Sequence, residues 1–218
     1  MAELSVISYG WTAWIPFTIY YFAGIPQILL NYKNRSTSGL SYRMVFFDYT
    51  GNMATTVYTF LLMLPLACRV MEPLLMFNIS ILVMQCFYYC RDKEARTFLV
   101  ASYVVLHVVT AAMLAVAWWY PDAIGNAMGW ISVVVQIFTQ LPQVLKNHAR
   151  KSVKGLSFAY ISMLGFAGFM EMIISFLLNL PIQSVFNGLR AVGYCIVLCV
   201  QFQWYRSNTV AAASKELD

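Results

Sequence analysis

Apolar residues in this chain are gathered into seven blocks, which are separated by short polar or basic segments. Most blocks hold about 20 residues, enough for a helix to cross the hydrocarbon core of a bilayer at 1.5 Å per residue. They predict transmembrane helices over residues 5–31, 41–64, 73–90, 97–119, 125–146, 157–179 and 183–206. The first block carries Glu3 where a signal peptide would have a basic start, so we expect it to be a structural helix.

The polar positions within these blocks occur twice along the chain. Pro26-Gln27 recurs as Pro142-Gln143, an offset of 116 positions. Other identical pairs at this offset are Leu29 and Leu145, Asn31 and Asn147, Ser36 and Ser152, Gly39-Leu40-Ser41 and Gly155-Leu156-Ser157, Pro65 and Pro181, Gln85 and Gln201, and Tyr89 and Tyr205. A repeat this long in so apolar a chain indicates two copies of one membrane-embedded unit.

The repeat predicts an all-α integral membrane protein with a 3+1+3 arrangement. Residues 1–95 form the first triple-helix repeat and residues 121–206 the second. Residues 96–120 form a linker helix without a counterpart, and residues 207–218 a cytoplasmic tail. Because three helices invert the chain and a fourth restores its direction, the two units enter the membrane in parallel, related by an axis along the membrane normal.

Composition and charge agree with this topology. Hydrophobic residues make up 61% of the chain and charged residues 11%, more apolar surface than a soluble domain of this length could bury. Twelve basic residues fall on one side of the predicted spans: Lys33, Arg35, Arg43, Arg91, Lys93, Arg96, Lys146, Arg150, Lys151, Lys154, Arg206 and Lys215. Only Arg69 falls on the other side, which places the N-terminus outside or in a lumen and the C-terminus in the cytoplasm. Charges spread over loops in this way do not indicate nucleic-acid binding.

The sequence offers little for catalysis or metal binding. The cysteines form two pairs at helical spacing, Cys86 with Cys90 and Cys195 with Cys199, and Cys68 lies apart in an outer loop. We expect them to pack in the helices and not to form disulfides or a metal site. No phosphate-binding loop or nucleophile constellation is present, so we predict neither an enzyme nor a cofactor.

The residues around the duplicated proline resemble a known family. Residues 21–27 followed by 35–41, and residues 139–143 followed by 151–157, look like the two motifs of the PQ-loop repeat family. This resemblance implies the seven-helix fold shared by SWEET sugar carriers and by lysosomal amino-acid exporters such as cystinosin. KDEL receptors have a related architecture, so the resemblance also admits a receptor.

A second segment resembles the proton-coupled members of this superfamily. Residues 46–51, which include Asp48, are similar to the Asp-containing segment that cystinosin-like carriers place in the helix after a PQ loop. In cystinosin this segment follows the second PQ loop, whereas here it follows the first, and Leu164 occupies the equivalent position of the second repeat. The proline that SWEETs carry soon after the serine of this loop is missing from both repeats.

The two PQ pairs are candidates for a hinge or gate. Pro26 and Pro142 each remove a backbone donor near the cytoplasmic end of a helix, which creates a swivel point. A plain helix end at the membrane surface is the simpler alternative. Gln27 and Gln143 are placed to satisfy freed backbone groups or to line an inner gate, and the glycines of the Gly-Leu-Ser segments should supply backbone freedom.

Ionisable residues inside the membrane are costly and therefore mark functional sites. Asp48 lies about 10 Å from the cytoplasmic end of the second span, and Glu171 lies deeper in the equivalent sixth span. A carboxyl group in a low dielectric can exchange protons near neutral pH. We predict that Asp48 carries a coupled proton, with Glu171 as a second candidate. Glu171 and Arg190 form either a structural ion pair, or an outer gate or clamp for the charged groups of an amino acid.

Four polar side chains at mid-membrane depth are candidates for substrate binding together with Arg190: Asn52, Asn78, Asn187 and Tyr194. The 116-residue offset relates Asn78 to Tyr194, so we expect these two to face each other across the axis. SWEET-like carriers place asparagines in the third and seventh helices around the ligand. Each of these side chains could equally form an interhelical hydrogen bond.

Together these features predict a proton-coupled secondary transporter of a small polar metabolite, with an amino acid as the preferred substrate. The two PQ-loop bundles would rock in alternating access within the lipid bilayer. The main alternative is an uncoupled, SWEET-like sugar facilitator, and a membrane receptor with this fold is the third. A bacterial inner membrane and an organelle membrane are both compatible with the sequence.

Overall fold

The computed structural model describes Thr12 and residues 14–90 and 93–205, with side chains omitted for 93–95. The predicted tail 207–218, most of residues 1–13 and the basic residues Arg91, Arg206 and Lys215 lie outside the described residues. The described chain forms helices only: α1 (Trp14–Asn34), α2 (Tyr42–Leu61), α3 (Leu66–Tyr89), α4 (Lys93–Ala117), α5 (Pro121–Thr139), α6 (Leu141–Arg150), α7 (Phe158–Leu177) and α8 (Ile182–Trp204).

These helices make seven membrane spans, since α5 and α6 together form one span over Pro121–Arg150. Five of the spans, all except α1 and α2, are long and apolar enough to qualify by length and composition alone. Polar residues that point inward reduce the apolar character of the other two. Gln27 and Asn31 are buried in α1, and Thr55 and Thr59 are buried in α2.

The packing of the helices follows the repeat. Within the first repeat α3 packs on both α1 and α2, and within the second α8 packs on α7 and on the α5–α6 span. Between the repeats α1 packs on α7, and α5 packs on α2. The first helix of each bundle therefore contacts the second helix of the other. This is the 3+1+3 fold that the repeat predicted.

The linker helix α4 lies on the outside of this assembly against α2 and α5. Only 11% of its most apolar stretch is buried by protein, compared with 39% for α3 and α7. An apolar helix with so little protein contact faces lipid along most of its length.

The loops also repeat. Arg35 and Lys151, which are equivalent, have left-handed backbones at the ends of their helices, with φ of 47° and 50°. Met63 and Asn179 are likewise equivalent, and both have φ of 49°. Two chain segments with different side chains thus adopt the same turn.

One predicted boundary is wrong. The third span was expected at residues 73–90, but α3 begins at Leu66. Arg69 and Glu72 interrupt the apolar pattern there, yet both are accommodated in the helix. Arg69 Nε donates to the Leu64 carbonyl at the start of the helix (2.9 Å), and Glu72 turns into the protein interior, where only 4% of it is exposed.

Candidate functional site

The two duplicated motifs meet at the basic end of the bundle, where the glutamine of each binds the Gly-Leu-Ser segment of the other. Gln27 Nε2 donates to the Gly155 carbonyl (3.0 Å), and the Ser157 amide donates to Gln27 Oε1 (2.8 Å). Gln143 makes the equivalent contacts: its Nε2 donates to the Gly39 carbonyl (3.0 Å), and the Ser41 amide donates to its Oε1 (2.8 Å). We call these four hydrogen bonds the clasp. Because each joins one repeat to the other, the clasp holds the two bundles together.

Each glutamine is oriented by a polar chain within its own repeat. Gln27 Nε2 also donates to Asn31 Oδ1 (2.9 Å), and Asn31 Nδ2 donates to Gln85 Oε1 (2.9 Å). Gln85 Nε2 in turn donates to the Ile28 carbonyl (3.1 Å). The second repeat has the equivalent chain through Gln143, Asn147, Gln201 and the Val144 carbonyl. Both glutamines are almost fully buried, and these bonds leave them little freedom to turn.

The backbones of the two bundles approach each other closely at Gly39 and Gly155. A Cβ on Gly39 would lie 2.5 Å from the Gly155 Cα, and a Cβ on Gly155 would lie 2.8 Å from the Gly39 Cα. Gly155 also has a φ of 82°, which disfavours any other residue. The expected backbone freedom therefore applies to Gly155, whereas Gly39 is required by the close approach.

The two prolines, expected to act alike, lie in different local structures. Helix α1 continues through Pro26 to Asn34, whereas the equivalent span is interrupted at Gln140 and resumes as α6 with Pro142 in its first turn. A helix break next to a proline is consistent with a swivel point in the second repeat. Whether either proline acts as a hinge stays a prediction.

A cavity of about 90 Å³ lies further along the same helices, between the two bundles. Asp48, which lines this cavity, lies seven positions after the clasp serine Ser41. Most of the candidate residues come together here. The polar or ionisable side chains in its lining are Tyr20, Asp48, Asn52, Thr55, Glu72, Asn78, Gln136, Gln140, Tyr160, Glu171, Asn187 and Arg190.

Asp48 lies in α2 with its carboxyl group toward the cavity. Asn52, one helical turn further on, donates from Nδ2 to Asp48 Oδ1 (3.0 Å) and to the Asp48 carbonyl (2.7 Å). Arg190 is the basic group that acts electrostatically on the Asp48 carboxylate. The pairing with Asn52 means that this predicted substrate ligand is also a partner of the predicted proton carrier.

Glu171 and Arg190 do not form an ion pair with each other in the described structure. The Glu171 carboxylate instead accepts a hydrogen bond from the Tyr20 hydroxyl (2.7 Å), which crosses from α1 to α7. Arg190 Nη1 donates weakly to the Gln136 carbonyl (3.4 Å), and its buried Nε has no hydrogen-bond partner. The ion pair, one of the two alternatives, is therefore not formed here, and ligand binding by these two groups stays a prediction.

Glu72 is a cavity residue that the sequence analysis missed. It is buried, and its Oε2 has no hydrogen-bond partner. The ionisable group that acts on it electrostatically is Glu171. The signal that could have found it is an acidic residue one turn beyond Arg69, in a block too apolar to be an outer loop.

The predicted substrate ligands divide into two groups. Asn187 lines the cavity with a buried Oδ1 that has no partner, so it is available to a ligand. Asn78 also lines the cavity, but its Nδ2 donates to the Tyr21 carbonyl (2.6 Å). Tyr194 is not among the lining residues, and its hydroxyl donates to the Ile137 carbonyl. Asn78 and Tyr194 thus make equivalent contacts within their own bundles and do not face each other.

The five cysteines are free thiols in the structure. The placement of Cys68 in an outer loop was wrong, because it is buried in the first turn of α3. Within the described ranges, no group of three or more His, Cys, Asp or Glu side chains is arranged to hold a metal ion.

The fold and the crossed motifs define a multi-pass membrane protein made of two parallel triple-helix repeats. The model of the PQ loop repeat matches residues 10–67 and 124–184, more than half of the chain. The protein therefore belongs to the PQ-loop repeat family, which confirms the resemblance inferred from its motifs.

Two further comparisons agree with this assignment. The chain is 25% identical over 205 residues to cystinosin from Drosophila melanogaster, covering 79% of this chain and 48% of that protein. It thus spans about half the length of this curated relative. A solved structure of a eukaryotic SWEET transporter superimposes with a TM-score of 0.69 at 13% identity, covering 94% of this chain and 99% of the other. At that identity the match shows the shared fold.

Proposed function

We propose that this protein is a proton-coupled secondary transporter of a small polar metabolite, with an amino acid as its substrate class. The observation that carries the proposal is the cavity between the bundles. It brings three carboxyl groups and one guanidinium group together between the bundles. The clasp, which is built from the duplicated motif, lies further along the same helices. A related cystinosin and a SWEET-like fold support a transport function.

In this proposal the clasp is the inner gate. The structure has the four cross-bundle hydrogen bonds formed, so it corresponds to the state closed on the basic side. We expect the N-terminus to be outside or lumenal, which makes this side cytoplasmic. Opening would separate the two Gly-Leu-Ser segments and expose the buried glutamines to water, which would then satisfy their hydrogen bonds.

The charge balance of the cavity supports proton coupling. Asp48, Glu72 and Glu171 face a single cation, Arg190. Charged groups that are cut off from water and left unpaired cost several kcal/mol, so the closed cavity favours the uptake of protons or of a cationic group. We assign the coupled proton to Asp48, which the Asn52 side chain holds in place, and treat Glu171 as a second proton site.

The same groups suit an amino acid. Arg190, whose Nε has no partner, can bind a carboxylate, and the acidic residues can bind an ammonium group. Asn187 adds a free acceptor in the cavity wall. An uncoupled sugar facilitator would use Asn52, Asn78 and Asn187 without needing a titrating acid. A receptor would bind a ligand without moving it. The uncoupled sugar facilitator does not account for the three inward-facing carboxyl groups, and a receptor is distinguished by the absence of flux.

The test is uptake and current in proteoliposomes under an imposed pH gradient, first with pooled amino acids and then with pooled sugars. We expect current that requires both the amino acids and the gradient. Asp48→Asn should keep substrate exchange but lose accumulation driven by the gradient. Asp122→Asn is the matched control, because Asp122 is exposed in the first turn of α5 and does not line the cavity. Gradient-driven uptake by Asp48→Asn would refute the assignment of the proton, and sugar flux indifferent to pH would refute the coupled carrier.

A further inference from the structure

A groove on the outside of the bundle has no counterpart in the second repeat, because it is made by the linker helix. It lies between the start of α2, the start of α4 and the α5–α6 span, and has a volume of about 1160 Å³. Its wall is mainly aromatic and aliphatic, with two cations at the basic end. The residues that matter here are Phe46, Phe98, Phe138, Leu145, Arg43 and Lys146.

The groove continues along α4 toward the middle of the membrane. A second cavity of about 440 Å³ shares Phe46 and Phe98 with the first and extends to Val109. The rise from Phe98 to Val109 is about 17 Å at 1.5 Å per residue, close to half of a ~30 Å hydrocarbon core. The combined groove therefore runs the length of one leaflet, and apart from Ser102 its inner part is lined by apolar residues.

Among the side chains that the structure describes, no ion pair involves Arg43 or Lys146 at the outer part of the groove, and Arg150 is a further cation acting on Lys146. Lys146 Nζ donates to the Leu40 carbonyl, which uses one of the three donors of the ammonium group. Two cations at the mouth of an apolar groove are complementary to an anionic headgroup with an acyl chain.

We propose that this groove binds an anionic phospholipid of the leaflet on the basic side. The phosphate lies at Arg43 and Lys146, and one acyl chain follows α4 past Phe98. Lys146 links the lipid to the first PQ loop, because its ammonium group also donates to the Leu40 carbonyl. Arg150 donates to the Ser38 carbonyl of the same loop (2.7 Å). Lipid binding here does not depend on transport.

The test is native mass spectrometry of the purified full chain, titrated with phosphatidylglycerol or with phosphatidylcholine. We expect preferential binding of one phosphatidylglycerol. Removing both cations in the Arg43→Gln/Lys146→Gln variant should weaken it about 25-fold, about fivefold for each cation. Lys33→Gln, an exposed cation at the end of α1, is the matched control and should change binding less than twofold.

A second variant tests the acyl-chain part without altering charge. Ala101 lines the inner groove and is exposed, so the side chain of Ala101→Trp should fill the groove without disturbing the core. This variant should lose the preferential binding of one phosphatidylglycerol. Equal binding of both lipids, an equal loss in Lys33→Gln, or unchanged binding in Ala101→Trp would each overturn the proposal.

Discussion

The clasp leads to a quantitative prediction about Gln27. Replacing it by leucine keeps the side-chain volume similar but removes the two hydrogen bonds that cross to Gly155 and Ser157. In the open state both partners would be hydrated, whereas in the closed state the leucine leaves both part-buried without a partner, at a cost of at least about 1 kcal/mol for each group. Gln27→Leu should therefore favour the open state by about 2 kcal/mol, or about 30-fold. Gln143→Leu should have an equal effect, since its two cross-bundle distances are the same.

The assay is the distance between spin labels on Ser38 and Lys154, which are exposed and equivalent in the two PQ loops. The labels would be placed in a variant whose five native cysteines have been replaced. The matched control is Gln203→Leu, because Gln203 is exposed near the end of α8 and belongs neither to the clasp nor to the polar chains that orient it. An unchanged distance distribution in Gln27→Leu, or an equal shift in Gln203→Leu, would refute the role of the clasp in closure.

Three further predictions concern the close glycine contact and the cavity asparagines. Gly39→Ala would place a Cβ 2.5 Å from the Gly155 backbone, so it should disfavour closure by about 1–3 kcal/mol in the same spin-label assay. In the control Gly193→Ala the added Cβ has no neighbour within 4 Å, so the distance distribution should not change. Asn187→Ala should raise the KM for substrate about 5- to 30-fold with little change in thermal stability, because its Oδ1 has no protein partner. Asn78→Ala should instead lower the free energy of unfolding by about 1–3 kcal/mol, because it leaves a backbone carbonyl without its donor. The opposite ranking of the two asparagines in stability would contradict this division of roles.

Part of the site was predictable because duplication is a property of the chain. The offset of 116 positions relates the polar residues of the two motifs before any contact is known. The structure then shows equivalent residues making equivalent contacts, as Gln27 and Gln143 do in the clasp. The expected cavity also gathers Asp48 and Glu171. These residues lie on helices that the repeat places around one axis.

Other parts of the site depend on how each helix is rotated about its own axis. Asn78 and Tyr194 are equivalent, but only Asn78 lines the cavity, and each is bound to the first helix of its own bundle. The Glu171 carboxylate accepts a hydrogen bond from the Tyr20 hydroxyl of α1 and forms no ion pair with Arg190 in the described structure. A pairing of this kind is decided by a third helix, which neither sequence segment specifies.

The sequence by itself determined the membrane class, the seven spans, the 3+1+3 order and the family. The length of each apolar block and the duplication can be read along the chain and do not depend on tertiary contacts. Only the tertiary structure decided that the motifs cross, that Glu72 belongs to the cavity, and that the linker helix leaves a groove beside the first repeat. These features arise from contacts between distant segments. Close packing and the pairing of buried polar groups select one partner there, among several that the sequence alone does not distinguish.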